Sequence, residues 1–164
     1  MVANGAFKNL SIANFSYGIT TSGSWENEYS NIQILYASGI GFQIGNNPSF
    51  PVSGGNFLRE IAISNNGFTG DNSASNGMRI GSSGGEYIDT VQITSFKRGL
   101  IIEPLSGRQV LYLFMRAMAP DTNTSNGIEF NTANGNIKSI VCVDCWSSYN
   151  GDHGIAFFGV TNNY

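Results

Sequence analysis

The residues of this chain whose types and spacing could do chemistry are few, and they gather in its last third. Two cysteines form Cys142-Val143-Asp144-Cys145, a C-x-x-C unit. A redox site would place that unit at a strand-to-helix turn, and a zinc site would add two further ligands at similar spacing. Neither context is present. The single histidine stands in Asn150-Gly151-Asp152-His153-Gly154, with no Ser or Cys partner at a recognised catalytic spacing. Asp121 and Asp152 form a candidate acidic pair, since carboxylates on neighbouring repeats could flank a glycosidic bond or hold Ca²⁺ through oxygen. Asp beside Asn, Gly or Thr is equally ordinary turn chemistry. Trp146 and Tyr149 are amphipathic aromatics of the kind used to stack on sugars or to bury against a neighbouring chain. No catalytic residue, metal ligand or cofactor is assigned from these residues. Trp146, Tyr149, Asp121, Asp152 and His153 are the candidate glycan- or partner-binding set.

A repeat must position them. Gly followed by apolar-x-apolar recurs as Gly41-Phe42-Gln43-Ile44, Gly77-Met78-Arg79-Ile80, Gly99-Leu100-Ile101-Ile102, Gly127-Ile128-Glu129-Phe130 and Gly154-Ile155-Ala156-Phe157, with a shorter Gly18-Ile19 ahead of them. The separations are 23, 36, 22, 28 and 27 residues, the range of a solenoid. Before each glycine lies a second alternating stretch: Leu10-Ser11-Ile12, Ile32-Gln33-Ile34, Ile61-Ala62-Ile63, Val91-Gln92-Ile93, Leu113-Phe114-Met115 and Ile140-Val141-Cys142. Period-two alternation turns the outer members of each triplet inward and the middle member outward. A turn column follows (Asn14, Tyr36, Asn65, Ser95, Ala117, Asp144), then another inward column (Phe15, Ala37, Asn66, Phe96, Met118, Cys145). The pattern predicts an all-β fold, a right-handed parallel β-helix of about six coils, as one domain over residues 1–164. Cys142 and Cys145 fall in inward columns, where a free Cys is a small hydrophobe. Both are therefore expected to stay reduced, their side chains directed into core rather than toward each other.

Composition is consistent with a packed fold. Gly, Asn and Ser number 21, 20 and 19, yet hydrophobic residues reach 41 %, including 11 Phe and 7 Tyr. Charged residues are only 12 %, so solubility rests on Asn, Ser and Thr. A net charge of −3 without a basic cluster argues against a nucleic-acid partner. No apolar run reaches the roughly 18 residues of a membrane span, and no cleavable-signal pattern opens the chain. Met1 precedes the first strand pattern, at Phe7, by six residues, so the chain either starts here naturally or was cut at a coil boundary.

Insertions mark the candidate surface, because loops at one corner of a solenoid stack along one edge. From turn column to glycine, coils one, two and four need 4, 5 and 4 steps, whereas coils three, five and six need 12, 10 and 10. Three long loops are expected at Gly67 to Asn76, Ala119 to Asn126 and Trp146 to His153, bringing Asp71, Asp121, Asp152, His153, Trp146 and Tyr149 to one corner.

The repeated Ile-x-Ile-x-Asn and Gly-apolar-x-apolar units, best seen in 61–80 and 140–157, resemble those of right-handed parallel β-helix proteins of the pectate-lyase-like type, and among them the tailspike and related virion proteins of bacteriophages. The Ca²⁺-binding carboxylate cluster and catalytic Arg of such lyases have no counterpart in the outward column Thr20, Gln43, Arg79, Ile101, Glu129 and Ala156. The polygalacturonase-like Asn-x-Asp followed by Asp-Asp is also absent. Six coils make a rod of only about 25–30 Å. No capping helix is evident, so another domain or chain is expected to cover the open coil ends. The resemblance implies a non-enzymatic virion protein at the particle surface, a homotrimer beside other virion proteins that either decorates or stabilises the particle or binds a host surface polysaccharide. A polysaccharide-degrading hydrolase or lyase, or a fragment of one, is the alternative. Phe114, Val141 and Val143 are outward apolar positions whose counterparts in earlier coils read as polar or small, and they are the expected subunit interface.

Overall fold

The computed structural model describes residues 3–45, 47, 49, 52–68, 70 and 75–159. Fourteen strands follow in chain order: β1 Ala6–Ala13, β2 Tyr17–Thr21, β3 Glu28–Leu35, β4 Ile40–Ile44, β5 Ser53–Gly54, β6 Phe57–Ser64 and β7 Asn76–Ile80. The second half contributes β8 Ser83–Gly84, β9 Tyr87–Thr94, β10 Arg98–Ile102, β11 Gln109–Asp121, β12 Ile128–Asn131, β13 Asn136–Val143 and β14 Ile155–Phe158. Among the described residues every strand pairing is parallel. One sheet stacks β1-β3-β6-β9-β11, with β13 on β11 and the short β5 and β8 beside it; the other runs β2-β4-β7-β10-β12-β14. The chain is a right-handed parallel β-solenoid of about five turns.

The long strands are not straight. Residues with φ between about +48° and +65° recur five apart in each coil: Asn4, Asn9 and Asn14; Glu26, Asn31 and Tyr36; Tyr112, Ala117 and Thr122; Ser139, Asp144 and Tyr149. Gly55 and Glu60, then Gly85, Thr90 and Ser95, continue these columns in the middle coils, where Asn65 alone departs from them. The strand register skips each bend, so that Lys8 pairs with Ser30 and Leu10 with Ile32 around Asn9 and Asn31. The local unit is therefore a pentad, read in-out-in-out-bend. Left-handed backbone costs an L-residue about 1–2 kcal/mol, and Asn bears it best because its short amide bonds locally.

The pentad corrects the expected alignment in coils five and six. Leu113 and Ile140 pair with each other but not with Val91, whose partner is Met118. The sequence triplets there match one pentad too early, because two successive pentads both read apolar-x-apolar. Thr122 and Tyr149, not Ala117 and Asp144, are the counterparts of Asn14, Tyr36 and Ser95. From them to the glycines takes 5 steps in each coil, so Ala119–Asn126 and Trp146–His153 are not insertions: β11 runs on to Asp121, and Trp146 and Ser148 follow it rung by rung, donating to the Met118 and Pro120 carbonyls. The insertion in coil three remains, with Asp71 outside the described residues.

The cysteines are also corrected: Cys142 and Cys145 form a disulfide, with Cα atoms 5.9 Å apart. They are the inward residues on either side of the Asp144 bend. Columns on two arms that meet at a corner converge rather than run side by side. The same two places are filled by Tyr29 and Ile32, Leu58 and Ile61, Ile88 and Val91, and Met115 and Met118 in the coils below.

Inside, one cluster runs through the coils, with Ile32, Ile34, Phe42, Ile61, Ile63, Met78, Ile93 and Leu100 essentially inaccessible. The glycine columns match expectation: Phe42, Met78, Leu100, Ile128 and Ile155 stack, and Thr20, Gln43, Arg79, Ile101, Glu129 and Ala156 form the outward column. These glycines are required by close approach. A Cβ on Gly77 would collide with Ile93 Cγ2 and stand 2.9 Å from the Gly99 carbonyl oxygen. Gly84 has open space there.

A polar ladder crosses the core at one corner. Gly5 N–H donates to Asn27 Oδ1 (2.8 Å), Asn27 N–H and Nδ2 donate to Asn56 Oδ1 (3.2 and 3.3 Å), and Asn56 N–H and Nδ2 donate to the two carboxylate oxygens of Glu86 (3.0 and 3.2 Å). From rung to rung the donors point one way, with Asn56 Nδ2 also donating back to the Ser24 carbonyl at 3.2 Å, so the ladder ends on a group that accepts twice. The next rung is Leu113, and Glu86 is 1 % exposed. Burial pushes its carboxyl up to about 7, outweighing the two hydrogen bonds from Asn56, which act to lower it.

Two outcomes test these features. Gly77→Ala should destabilise the fold by about 1–3 kcal/mol in urea unfolding, while Gly84→Ala stays within about 0.5 kcal/mol of wild type; equal effects would mean the close approach is not limiting. For Glu86, the unfolded chain gives up its proton near pH 4.5 and the folded chain near 7, so stability falls as pH rises through that window. Relative to Glu86→Gln, the wild type should lose about 3 kcal/mol between pH 4 and 8. Parallel stability profiles for the two proteins would contradict the assignment.

Candidate functional site

The outer face of the glycine sheet carries a side-chain network that reaches across three coils. Arg98, Asn126 and His153 each precede a glycine (Gly99, Gly127, Gly154), and the parallel register stacks them. Glu129, an outward residue of β12, is only 3 % exposed beneath them. Its Oε2 accepts from Arg98 Nε and from Asn126 Nδ2, both at 2.8 Å. With its amide nitrogen committed to Glu129, Asn126 turns Oδ1 to His153 Nδ1 at 3.1 Å. An acceptor there requires Nδ1 to carry the hydrogen, which leaves the Nε2 lone pair of the neutral ring free. These side chains, with Ser125, Asn131, Asp152 and Phe158, border a groove of about 470 Å³. The arrangement offers an oriented acceptor, amide and guanidinium donors and an aromatic edge, which suits a hydroxyl-rich ligand.

The five residues singled out from sequence are divided by the fold. Asp152 and His153 border the groove. Asp121 lies outside its lining, at the far end of β11, where it accepts from Ser148 Oγ at 3.1 Å. Trp146 is half-exposed, and Tyr149, at the bend, is 86 % exposed. Neither borders the groove. Asp152 accepts from Ser125 Oγ at 2.7 Å. Asp121 and Asp152 thus each bond a serine, on separate parts of the coil. The groove's other members, Arg98, Asn126, Glu129 and Asn131, escaped sequence reasoning. Their signal was polar residues at fixed offsets from successive glycines, which only becomes specific once the 27-residue register is set. Arg79 and Glu129, both of the outward column, lie two coils apart, and each takes another partner: Arg79 Nη2 bonds Glu103 at 2.8 Å. Among the described residues no group of three or more His, Cys, Asp or Glu could hold a metal ion.

The opposite, long sheet presents a second surface. Phe57, Tyr87 and Phe114 stack outward in one column, with ring centroids 4.8 and 4.9 Å apart, and Val141 is the next rung. Val141 and Val143 are 47 % and 40 % exposed, while Phe114 is partly covered. The counterparts of Phe114 in the two coils below are thus the aromatic Tyr87 and Phe57, with Glu28 and Ala6 beyond them, a correction that follows from the one-pentad slip. Val143 tops a largely ionic column of Lys8, Ser30, Arg59, Asp89 and Arg116: Arg116 bonds Asp89, holding its carboxyl below the usual range, and Lys8 and Arg59 reach across to Glu28 of the adjacent column, lowering that carboxyl too.

Comparison with protein-family models, with curated proteins and with solved structures finds no match for this chain. Its class therefore rests on geometry: a right-handed parallel β-solenoid, a fold that serves both structural and carbohydrate-active proteins.

The His153 arrangement has a direct readout. Long-range ¹⁵N–¹H correlation of the imidazole at neutral or higher pH should show the Nδ1–H tautomer, and Asn126→Ala should shift the ring toward Nε2–H. A wild-type ring already in the Nε2–H form would break the proposed chain of hydrogen bonds.

Proposed function

We propose that this protein is a non-catalytic structural element of a bacteriophage particle, a short tailspike-like β-solenoid that assembles as a trimer through the outward face of its long sheet and presents the His153 groove to a host surface glycan. The observation that carries the non-catalytic part is the state of the carboxylates. Around the groove Glu129 is bound by Arg98 and Asn126, and Asp152 by Ser125. Asp121, the other half of the acidic pair, lies elsewhere and bonds Ser148. Two acids free to act on opposite sides of a glycosidic bond are what hydrolysis would need.

The trimer rests on the outward column Phe57–Tyr87–Phe114–Val141, a continuous apolar strip across four coils that ends half-exposed. Under closed cyclic symmetry three copies of the strip would be buried, each large side chain contributing about 1.5–3 kcal/mol. Exposed core side chains at both coil ends, Phe7, Leu10 and Phe15 at one and Ile155 and Phe157 at the other, further support a place inside a larger assembly.

Sedimentation at micromolar concentration should give a trimer, and the Val141→Lys, Val143→Lys double variant should dissociate it while keeping the β-sheet circular dichroism signal. A monomeric native protein, or a double variant that stays trimeric, would remove the interface. Release of reducing ends or unsaturated products from host capsule or lipopolysaccharide would overturn the non-catalytic reading in favour of a depolymerase.

A further inference from the structure

The Cys142–Cys145 bridge is used by neither surface described above, and its position sets it apart from the rest of the core. In the coil below, the two places flanking the corner hold Met115 and Met118, both fully buried. In the terminal coil they hold the cystine, and Cys142 is exposed to solvent. It lines an open apolar cavity of about 560 Å³ at the coil end, together with Ile137, Ile140, Ile155 and Phe157. Between the cysteines lies Asp144 at φ +52°, a backbone conformation an L-residue adopts at a cost. In the inner coils that bend is held by packing from both sides. In the terminal coil one side is open, and the bridge is the covalent tie across the bend.

We propose that the Cys142–Cys145 disulfide is a redox latch on the terminal coil, opened in the folded protein by a dithiol and closed again by exchange with an oxidised dithiol, which takes up the two electrons and two protons. The exposed sulfur of Cys142 is the point of attack. A thiolate of the reductant bonds to Cys142 Sγ, the Sγ–Sγ bond breaks, and Cys145 leaves as a thiolate that takes up a proton. The reductant's second thiol then displaces Cys142, which also ends as a thiol. The bridge gains two electrons and two protons, and the dithiol is oxidised to its cyclic disulfide. Two small thiols facing an open cavity fill the corner less well than Met115 and Met118 do in theirs, so the bend at Asp144 loosens. The change is confined to the last coil, because the inner coils keep packing on both faces. The latch operates on the chain with this coil end uncovered, and a partner seated on Ile155 and Phe157 in the proposed assembly would shield it.

The test uses the whole oxidised chain. Alkylation with iodoacetamide under native conditions, read by intact mass, should add nothing before dithiothreitol and two groups after it. Hydrogen exchange read by mass spectrometry should then speed up by about tenfold or more in peptides covering 136–158, with peptides from 28–102 unchanged. The Cys142→Ser, Cys145→Ser variant should exchange fast in 136–158 with or without reductant. The Cys142→Met, Cys145→Met variant, which repeats the packing of the coil below, should stay slow under both conditions. Free thiols in the oxidised protein, a bridge reduced only after denaturant is added, or reduction without faster exchange in 136–158 would each overturn the latch.

Discussion

A left-handed bend at every fifth residue along the long-sheet arms is the constraint from which the rest of this solenoid follows. Strand alternation alone would carry inward and outward parity unbroken along an arm. The bend at Asn9, Asn31, Glu60, Thr90, Ala117 and Asp144 resets it, so that the residue after each bend points inward again. The cost of a positive φ recurs in every coil and falls on residues as unlike as Asn, Glu, Thr and Tyr. It is offset because a coil that bent elsewhere would lose register with both neighbours, forfeiting a run of ladder hydrogen bonds and a core position at once.

Stacking then turns single residues into columns, and the columns explain features that look unrelated in the chain. Asn27, Asn56 and Glu86 become a one-directional hydrogen-bond ladder because each follows a bend in its coil. Asn123 and Asn150 repeat the device after Thr122 and Tyr149, with Asn123 N–H donating to Asn150 Oδ1 at 3.1 Å. Ladders of this kind satisfy backbone and amide donors inside a core that would otherwise leave them unpaired. Glu86 shows the limit of the device: a ladder whose rung-to-rung donors all point one way must end on an acceptor, and here that acceptor is a carboxyl with a leucine beyond it.

The same logic separates the two outer faces. On the glycine sheet, polar residues at fixed offsets from Gly99, Gly127 and Gly154 assemble a groove whose two acids, Glu129 and Asp152, are each bonded by neighbours. On the long sheet, an aromatic column and an ionic column run in parallel and end in Val141 and Val143. One face is suited to holding a polar ligand and the other to meeting apolar protein, and both come from residues that leave the core unchanged. A solenoid with these properties is readily diversified on its surface without disturbing its coils.

By itself the sequence determined the solenoid: the recurring Gly-apolar-x-apolar units set the glycine sheet column by column, because a close approach that excludes a Cβ leaves a signature no other residue can mimic. It also determined the two inward strand columns of the long sheet over the first four coils, through strict alternation around Ile32, Ile61 and Val91. Only the tertiary structure decided the register of the last two coils, since consecutive pentads such as Leu113-x-Met115 and Met118-x-Pro120 differ by five residues and share one hydrophobic pattern. That slip moved Ala117 and Asp144 to the wrong bend, created two insertions that do not exist, and hid the aromatic neighbours of Phe114. The disulfide was beyond the sequence for a related reason: alternation reports whether Cys142 and Cys145 face inward, while only the angle of the bend between them decides that they meet. The groove depended on the same step, because Arg98, Asn126, Glu129 and His153 are neighbours through coil stacking across 27 to 31 residues, a relation that local pattern does not carry.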